Sequence, residues 1–327
     1  MMDAILFVQL GSPADETPAS VEKYLLEFLG DPHTLGNPPF FWNWLLRHII
    51  APKRAPKSAL KYAEMVKCAG LGKMPLVYYT EKFSAEVGKI LAEKYPQIMV
   101  RHAFEFGTTP TISDALKEFA IAKKTQIYVV PLFPQRSLVT TVAVRDLVSQ
   151  AAKNFPQLSL QFIEGFSQNL IWQNAILQSV FANWNQKSAI VFSFHGTPSA
   201  WAKNGDPYSR DCADAFEYFQ KKIIEKFPHA EIFCSYQSRF GHGKWLGPFT
   251  SSVLQELAQK RKSVLLVCPS FTADNLETLY EVDVELRNEF IRAGGSEFFR
   301  VPCLNDNADW ASHFANEIIR IGEENLP

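Results

Sequence analysis

The chain has 327 residues, of which 47% are hydrophobic and 20% charged, with a formal net charge of −1. That is the composition of a globular protein with a sizeable core, long enough for two domains. The near-neutral charge leaves no electrostatic footprint for nucleic acid.

In chain order, Ala4 to Leu10 reads as a strand ended by Gly11-Ser12-Pro13. Thr17 is an N-cap with Pro18 at the first helical position, and Val21, Tyr24, Leu25, Phe28 and Leu29 mark one helical face. Residues 33–56 read as irregular, rich in proline and aromatics. Helical patterns follow near 57–67 and 80–94, then a strand from Ile98 to Phe104, a helix at 111–122, a strand from Gln126 to Pro131 and a helix at 141–153. A second series starts with a strand from Leu158 to Ile163 and a helix at 168–183. Strands at 188–194, 230–236, 263–268 and 298–301 then alternate with helices near 210–226, 250–260, 274–293 and 308–321. Alternating strands and helices with short connections predict an α/β fold with mostly parallel sheets covered on both faces. Two doubly wound, Rossmann-like domains with four-stranded sheets around a central cleft are expected. Residues 1–165 form the first, with an aromatic lip at 36–52; residues 166–327 form the second, with the last helix open to packing on the first domain. No strong internal sequence repeat is visible.

The cysteines, Cys68, Cys212, Cys234, Cys268 and Cys303, are odd in number and contain no Cys-x-x-Cys pair. This argues against a disulfide framework or a zinc site and fits a reducing compartment. Met1-Met2-Asp3 carries no basic start, so the opening apolar run reads as a strand and not a signal peptide. No run reaches the ~18 apolar residues of a spanning helix. A cytoplasmic location is expected. With 26 Phe and 7 Trp, some aromatic surface is available for a flat aromatic ligand as well as for core.

Chemistry concentrates in the second half. Ser188 to Phe194 delivers His195 to a strand end, followed by Gly196 and Pro198. Ligands bind at the carboxyl ends of strands in open α/β sheets, and imidazole moves protons near neutrality; a buried histidine satisfied by a backbone carbonyl is the alternative. A second run, Ser263 to Cys268-Pro269, leads into Asp274, Glu277, Glu281 and Glu285. Their spacings of three, four and four place them along one helical stripe. Such a stripe is either a solvated acidic face or a row of hard oxygen ligands for a divalent cation in transit. The loops Asn204-Gly205-Asp206-Pro207-Tyr208 and Gln237-Ser238-Arg239-Phe240-Gly241, with Lys244-Trp245-Leu246-Gly247-Pro248, follow strands and border the same end. Pro38 to Pro56 holds a short helix wrapped in apolar residues and then a basic cluster; it is either core or a lip touching membrane or a greasy substrate. No phosphate loop, Gly-x-Gly-x-x-Gly or Gly-x-Ser-x-Gly is present, which removes support for kinase, dinucleotide and hydrolase readings.

These co-ordered motifs resemble the ferrochelatase family over nearly the whole chain. They are Ser193-Phe194-His195-Gly196, Gly205 to Tyr208, Gln237 to Gly241, Trp245 to Pro248, Cys268-Pro269 with Phe271, Asp274 and Leu276-Glu277-Thr278-Leu279, and Pro302 to Asp306; Gln9 to Pro13 and Arg54 to Ser58 add to them in the first half. The resemblance implies the chelatase fold and insertion of ferrous iron into protoporphyrin IX, with release of two protons, in haem biosynthesis. Coproporphyrin III as substrate, a chelatase for an early tetrapyrrole, and a non-catalytic porphyrin or haem binder are the alternatives. Asp31-Pro32 and the lip look more like the protoporphyrin-using members. By the same resemblance His195 is catalytic and Glu277 its acidic partner across the macrocycle, the two also being metal-contact residues. Asp274, Glu281 and Glu285 match the family's acidic ridge, on a helix with a π-type widening. Leu10, Phe106, Arg136, Gln237 and Trp245 are candidates for the substrate pocket. Iron is expected as substrate with no resident cofactor. The cysteine-rich tail that holds an iron–sulfur cluster in some members is missing, so no cluster is expected. The expected assembly is a monomer or weak dimer, with peripheral membrane contact as an option. Three segments depart from the family: Phe104-Glu105-Phe106-Gly107 where Met-Arg-Tyr-Gly is usual, Phe133-Pro134-Gln135-Arg136-Ser137 for Tyr-Pro-Gln-Tyr-Ser, and Lys73-Met74-Pro75 for Gly-Ser-Pro. Arg136 is open to two roles, as cation for a substrate propionate or as partner of Glu105.

Overall fold

The computed structural model describes residues 2–35, 39–239 and 243–324. The fold is α/β, with two four-stranded sheets whose ladders are all parallel. The first contains β1 (Ala4–Gly11), β2 (Met99–Phe106), β3 (Gln126–Pro131) and β4 (Ser159–Phe162), in the order β2-β1-β3-β4. The second contains β5 (Ala189–His195), β6 (Ile232–Gln237), β7 (Val264–Val267) and β8 (Phe298–Arg300), in the order β6-β5-β7-β8. The two sheets thus repeat one strand order, a repeat carried by topology and not by sequence similarity. The central strands β1 and β5 read as near-continuous apolar runs, interrupted by Gln9 and Ser193, because helices cover both faces. Ile5 to Val8 and Ile190 to Phe192 have no exposed surface at all.

The chain forms two compact units, one of Met1–Leu132, Leu138–Glu164 and Asp306–Pro327, the other of Phe133–Ser137 and Gly165–Asn305. This differs from a single cut at 165/166 in two segments. The last helix, Ala308–Glu324, belongs to the first unit. Its Trp310 stacks on Phe83 at 5.9 Å and on Phe314 at 4.4 Å, and Phe83 in turn meets Phe7 of β1 at 5.3 Å. The apolar stripe of an amphipathic helix has found a partner distant in sequence. Conversely, residues 133–137 belong to the second unit, where the Arg136 guanidinium and main-chain N–H both donate to Asp211.

Residues 33–56 are more ordered than their composition suggests. Trp42–Leu45 is helical, Leu46–Ile50 is a π-helical turn, and a helix runs from Ala51 to Ala69 through Pro56. Pro52 lies in the first turn, where proline is tolerated. The helix continues past Pro56, at the loss of one backbone donor, because Ala51, Ala55, Ala59, Tyr62 and Met65 share a buried face.

Candidate active site

His195 is the last residue of β5, half-buried at the carboxyl end of the sheet. Its main-chain N–H donates to Ser270 Oγ at 3.1 Å, and its carbonyl accepts from Tyr208 Oη at 2.9 Å. The next N–H, of Gly196, donates to the Gln237 carbonyl at 2.7 Å. A Cβ on Gly196 would lie 2.5 Å from that oxygen, so glycine alone passes there, and Trp245 Cε3 would be 3.5 Å from the same point. Trp245 is held by an antiparallel bridge to Pro198. The Phe271 ring stands edge-on to the imidazole at 6.1 Å. Burial pulls His195 down to about 4, against a smaller upward effect of the Gly196 backbone. The imidazole is therefore neutral near pH 7 and able to accept a proton.

Glu277 opens a π-helical segment, Glu277–Leu286, that continues as the α-helix Arg287–Arg292. Asn275 prepares this start: its Oδ1 accepts the N–H of Glu277 at 3.0 Å and of Thr278 at 3.1 Å. Gln237 links the two sides. It is the neighbour of His195 in the β5–β6 register. Its Oε1 accepts from Ser193 Oγ at 2.7 Å and from Cys268 Sγ at 3.5 Å, and its Nε2 donates to the Glu277 carbonyl at 3.3 Å. One buried carboxamide thus ties the strand that carries His195 to the backbone of Glu277. Burial, with the charge of Glu281 second, raises Glu277 to about 7. Glu281 accepts from the Ser238 N–H at 2.7 Å and from Ser238 Oγ at 2.5 Å. Ser238 reaches it with a left-handed φ of 64°. Burial raises Glu281 too, and the Glu285 charge adds to that rise. A neutral base and a carboxyl poised near neutrality therefore share the Gln237 strut.

Several residues singled out by sequence sit elsewhere. Asp274 precedes the helix and turns inward, 4% exposed. Its Oδ1 accepts from Arg300 Nη1 at 2.7 Å and from Thr278 Oγ1 at 2.9 Å, and its Oδ2 from Asn305 Nδ2 at 2.8 Å. It neutralises a buried arginine, so both oxygens are taken and it is no member of a ridge with Glu277, Glu281 and Glu285. Gln237 is buried and internally satisfied, a strut and not a pocket wall. Phe106 is buried against Phe28 at 5.8 Å, and Leu10 is half-buried at the end of β1. Arg136 makes a two-pronged pair with buried Asp211, Nε to Oδ2 at 2.9 Å and Nη2 to Oδ1 at 2.7 Å. It is not the partner of Glu105, whose two buried carboxyl oxygens have no hydrogen-bonding partner. Burial, with the Asp31 charge second, pushes Glu105 well above the ordinary carboxylate range. Among the described residues no group of three or more His, Cys, Asp or Glu is placed to hold a metal ion. Phe240 and Gly241 of the Gln237 motif, and residues 36–38 of the lip, lie outside the described residues. The rest of the lip divides: Leu46 is core and Trp42 Nε1 donates to the Leu29 carbonyl, while Phe40 is 99% and Trp44 60% exposed. Sequence reading gave no role to Ser270 or Tyr208. Their signals were the Pro269 that ends β7 and the Gly205-Asp206-Pro207-Tyr208 turn.

Two four-stranded parallel sheets of like strand order give the chain an α/β fold of the chelatase type. SirB from Bacillus subtilis with Fe3+ has a similar fold, with a TM-score of 0.59 at 14% identity, over 99% of this chain and 98% of that one. The sirohydrochlorin chelatase SirB from Bacillus subtilis subspecies spizizenii in complex with cobalt is similar at a TM-score of 0.56 and 13% identity, over 99% of this chain and 97% of that one. The ferrochelatase family model matches residues 2–320, and the chain belongs to the ferrochelatase family. A ferrochelatase from Yersinia enterocolitica is 37% identical over 308 residues, 93% of this chain and 92% of that protein. One from Francisella tularensis subsp. holarctica (strain OSU18) is 34% identical over 309 residues, 93% and 91% of the two chains.

Proposed function

We propose that this chain inserts ferrous iron into protoporphyrin IX, in haem biosynthesis, with His195 as proton acceptor and Glu277 as its acidic partner. The observation that carries this reading is the buried Gln237, the register neighbour of His195, whose side chain donates to the Glu277 carbonyl and so ties the two residues to the same end of one sheet. Metal insertion must strip two protons from the pyrrole nitrogens and bend a nearly flat ring. A neutral imidazole takes such a proton and, with little affinity for it, gives it up readily. Burial lowers the proton affinity of His195 and raises that of Glu277, so the carboxyl is the better of the two at holding a proton. Iron enters as substrate and leaves in the product. Glu281 and Glu285 follow Glu277 on the same helix, where hard carboxylate oxygens suit passing a divalent ion on rather than keeping it. No resident cofactor or iron–sulfur cluster is required.

The exposed rings of Phe40, Phe41 and Trp44, followed by exposed Arg47, Lys53 and Lys57, suit peripheral contact with an anionic membrane surface. Among the described residues no helix is long and apolar enough to cross a membrane. The test is ferrous iron insertion, followed by absorbance, into protoporphyrin IX and coproporphyrin III side by side. Faster insertion into the dicarboxylate is expected. Faster insertion into the tetracarboxylate would reassign the substrate, and tight porphyrin binding with no metallation would make the protein a binder.

A further inference from the structure

We propose that Ser270 and Tyr208 are positioning residues for His195, standing in for the stretch of sheet that β7 does not supply. The inference rests on the reading of His195 as proton acceptor. In a parallel strand, successive residues direct their N–H and C=O to opposite neighbours. Gly196 donates to Gln237 on the β6 side, so His195 directs both of its main-chain groups to the β7 side. There the ladder has already stopped: the β5–β7 register ends at Phe192 and Val267, because Cys268 is followed by Pro269, which has no N–H and turns the chain away. Left alone, both polar groups of His195 would be orphans beside a buried strand end.

Two side-chain hydroxyls fill the gap. The His195 N–H donates to Ser270 Oγ at 3.1 Å, and Tyr208 Oη donates to the His195 carbonyl at 2.9 Å. The two hydroxyls are 2.8 Å apart. Since the single Tyr208 proton is spent on His195, Ser270 is the donor between them. Each member of this closed ring gives one proton and accepts one. Neither hydroxyl keeps a donor for substrate, so both act through His195. The next residue, Phe271, donates its N–H to the Cys268 carbonyl at 3.2 Å, and its ring stands T-shaped to the imidazole. The ring therefore holds the imidazole where burial keeps it neutral. Titratable groups on the neighbouring elements, among the described residues, include Asp206, Arg210, Asp211 with its partner Arg136, and Cys212 around Tyr208, Cys234 and Tyr236 on β6, Cys268 after β7, and Glu277 and Glu281 beyond it.

Ser270→Ala and Tyr208→Phe are the variants, with Ser270→Thr as the conservative control. The expected result is a loss in kcat of about 10- to 100-fold with KM for porphyrin within about twofold of wild type. Ser270→Thr should recover most of the rate. The His195 main-chain amide resonance, followed by NMR of labelled histidine without substrate, should shift and exchange with solvent faster in Ser270→Ala and return toward wild type in Ser270→Thr. Should Tyr208→Phe fail to fold, Ser270→Ala alone decides, since it removes a single hydroxyl. An unmoved His195 amide in a folded Ser270→Ala protein overturns the clamp even if the wild type inserts iron normally. A moved amide in a protein that never metallates porphyrin supports the clamp and overturns the reaction assigned to it.

Discussion

Replacing Glu281 by glutamine removes the charge nearest to Glu277 in effect, and its consequence can be worked out. Glu277 lies at about 7 against an ordinary 4.5, with burial the larger cause and the Glu281 charge the second. At ~1.36 kcal/mol per pH unit that rise is worth ~3.4 kcal/mol. Burial is the larger share, a backbone hydrogen bond works against both causes, and the Glu281 share is on the order of 1 kcal/mol. Glutamine keeps an oxygen that can accept the Ser238 N–H, so the turn at Ser238 should persist. Removing a like charge makes ionisation easier, and the Glu277 midpoint should fall by about 0.5 to 1 pH unit while burial still holds it above 4.5. The assay is the carboxyl carbon shift of Glu277 in labelled protein, assigned with Glu277→Gln and titrated through neutrality, alongside the pH profile of metal insertion. A midpoint that stays in place or rises in Glu281→Gln would refute the reasoning.

Three further outcomes are expected. Arg300 is 4% exposed at its side chain and bonds Asp274 and Asp283, each at 2.7 Å; Arg300→Met leaves both carboxylates without it and should cost ~3–5 kcal/mol in urea denaturation, whereas a loss below ~1 kcal/mol would contradict the network. Glu105 has its folded midpoint raised well above 4.5, so the unfolded chain releases this proton first. Its contribution to stability is unaffected below 4.5 and falls by ~1.4 kcal/mol per pH unit above it, until the folded midpoint is reached. Glu105→Gln should therefore gain on wild type as pH rises above the ordinary carboxylate range, and parallel stability curves for the two proteins would rule this out. Deleting the exposed rings with Phe40→Ser and Trp44→Ser should weaken binding to anionic vesicles about tenfold without changing the rate in detergent; unchanged sedimentation with vesicles would remove the membrane contact.

The strands of the fold were legible because a strand buried on both faces is a near-continuous apolar run, as in Ala4 to Val8 and Ala189 to Phe192. His195 was legible as the polar residue that ends such a run, and Glu277 as one of the carboxylates on the helical stretch that follows another, its role coming from family resemblance. The π-helical start at Glu277 came from family resemblance, since it is a choice of backbone hydrogen-bond register that side-chain types do not announce. Asp274 was miscounted onto the acidic stripe because spacing carries no information on where a helix begins. What places it is Arg300, 26 positions away. The irregular reading of 33–56 gave proline and aromatic content too much weight against the buried alanine face of Ala51–Ala69. The last helix joined the first unit through Trp310 and Phe314, whose partner Phe83 is more than half the chain away. Ser270 and Tyr208 were hidden for a related reason: their role exists only once β7 has stopped short of His195.

The most direct measurement is the rate of ferrous iron insertion into protoporphyrin IX by His195→Ala beside the wild type, with porphyrin binding and thermal midpoint taken on the same samples. A base that accepts the pyrrole protons predicts a fall of about 10²- to 10⁴-fold in a protein that still folds and still binds porphyrin. A folded His195→Ala protein metallating porphyrin within about threefold of wild type would show that the protons leave by another route.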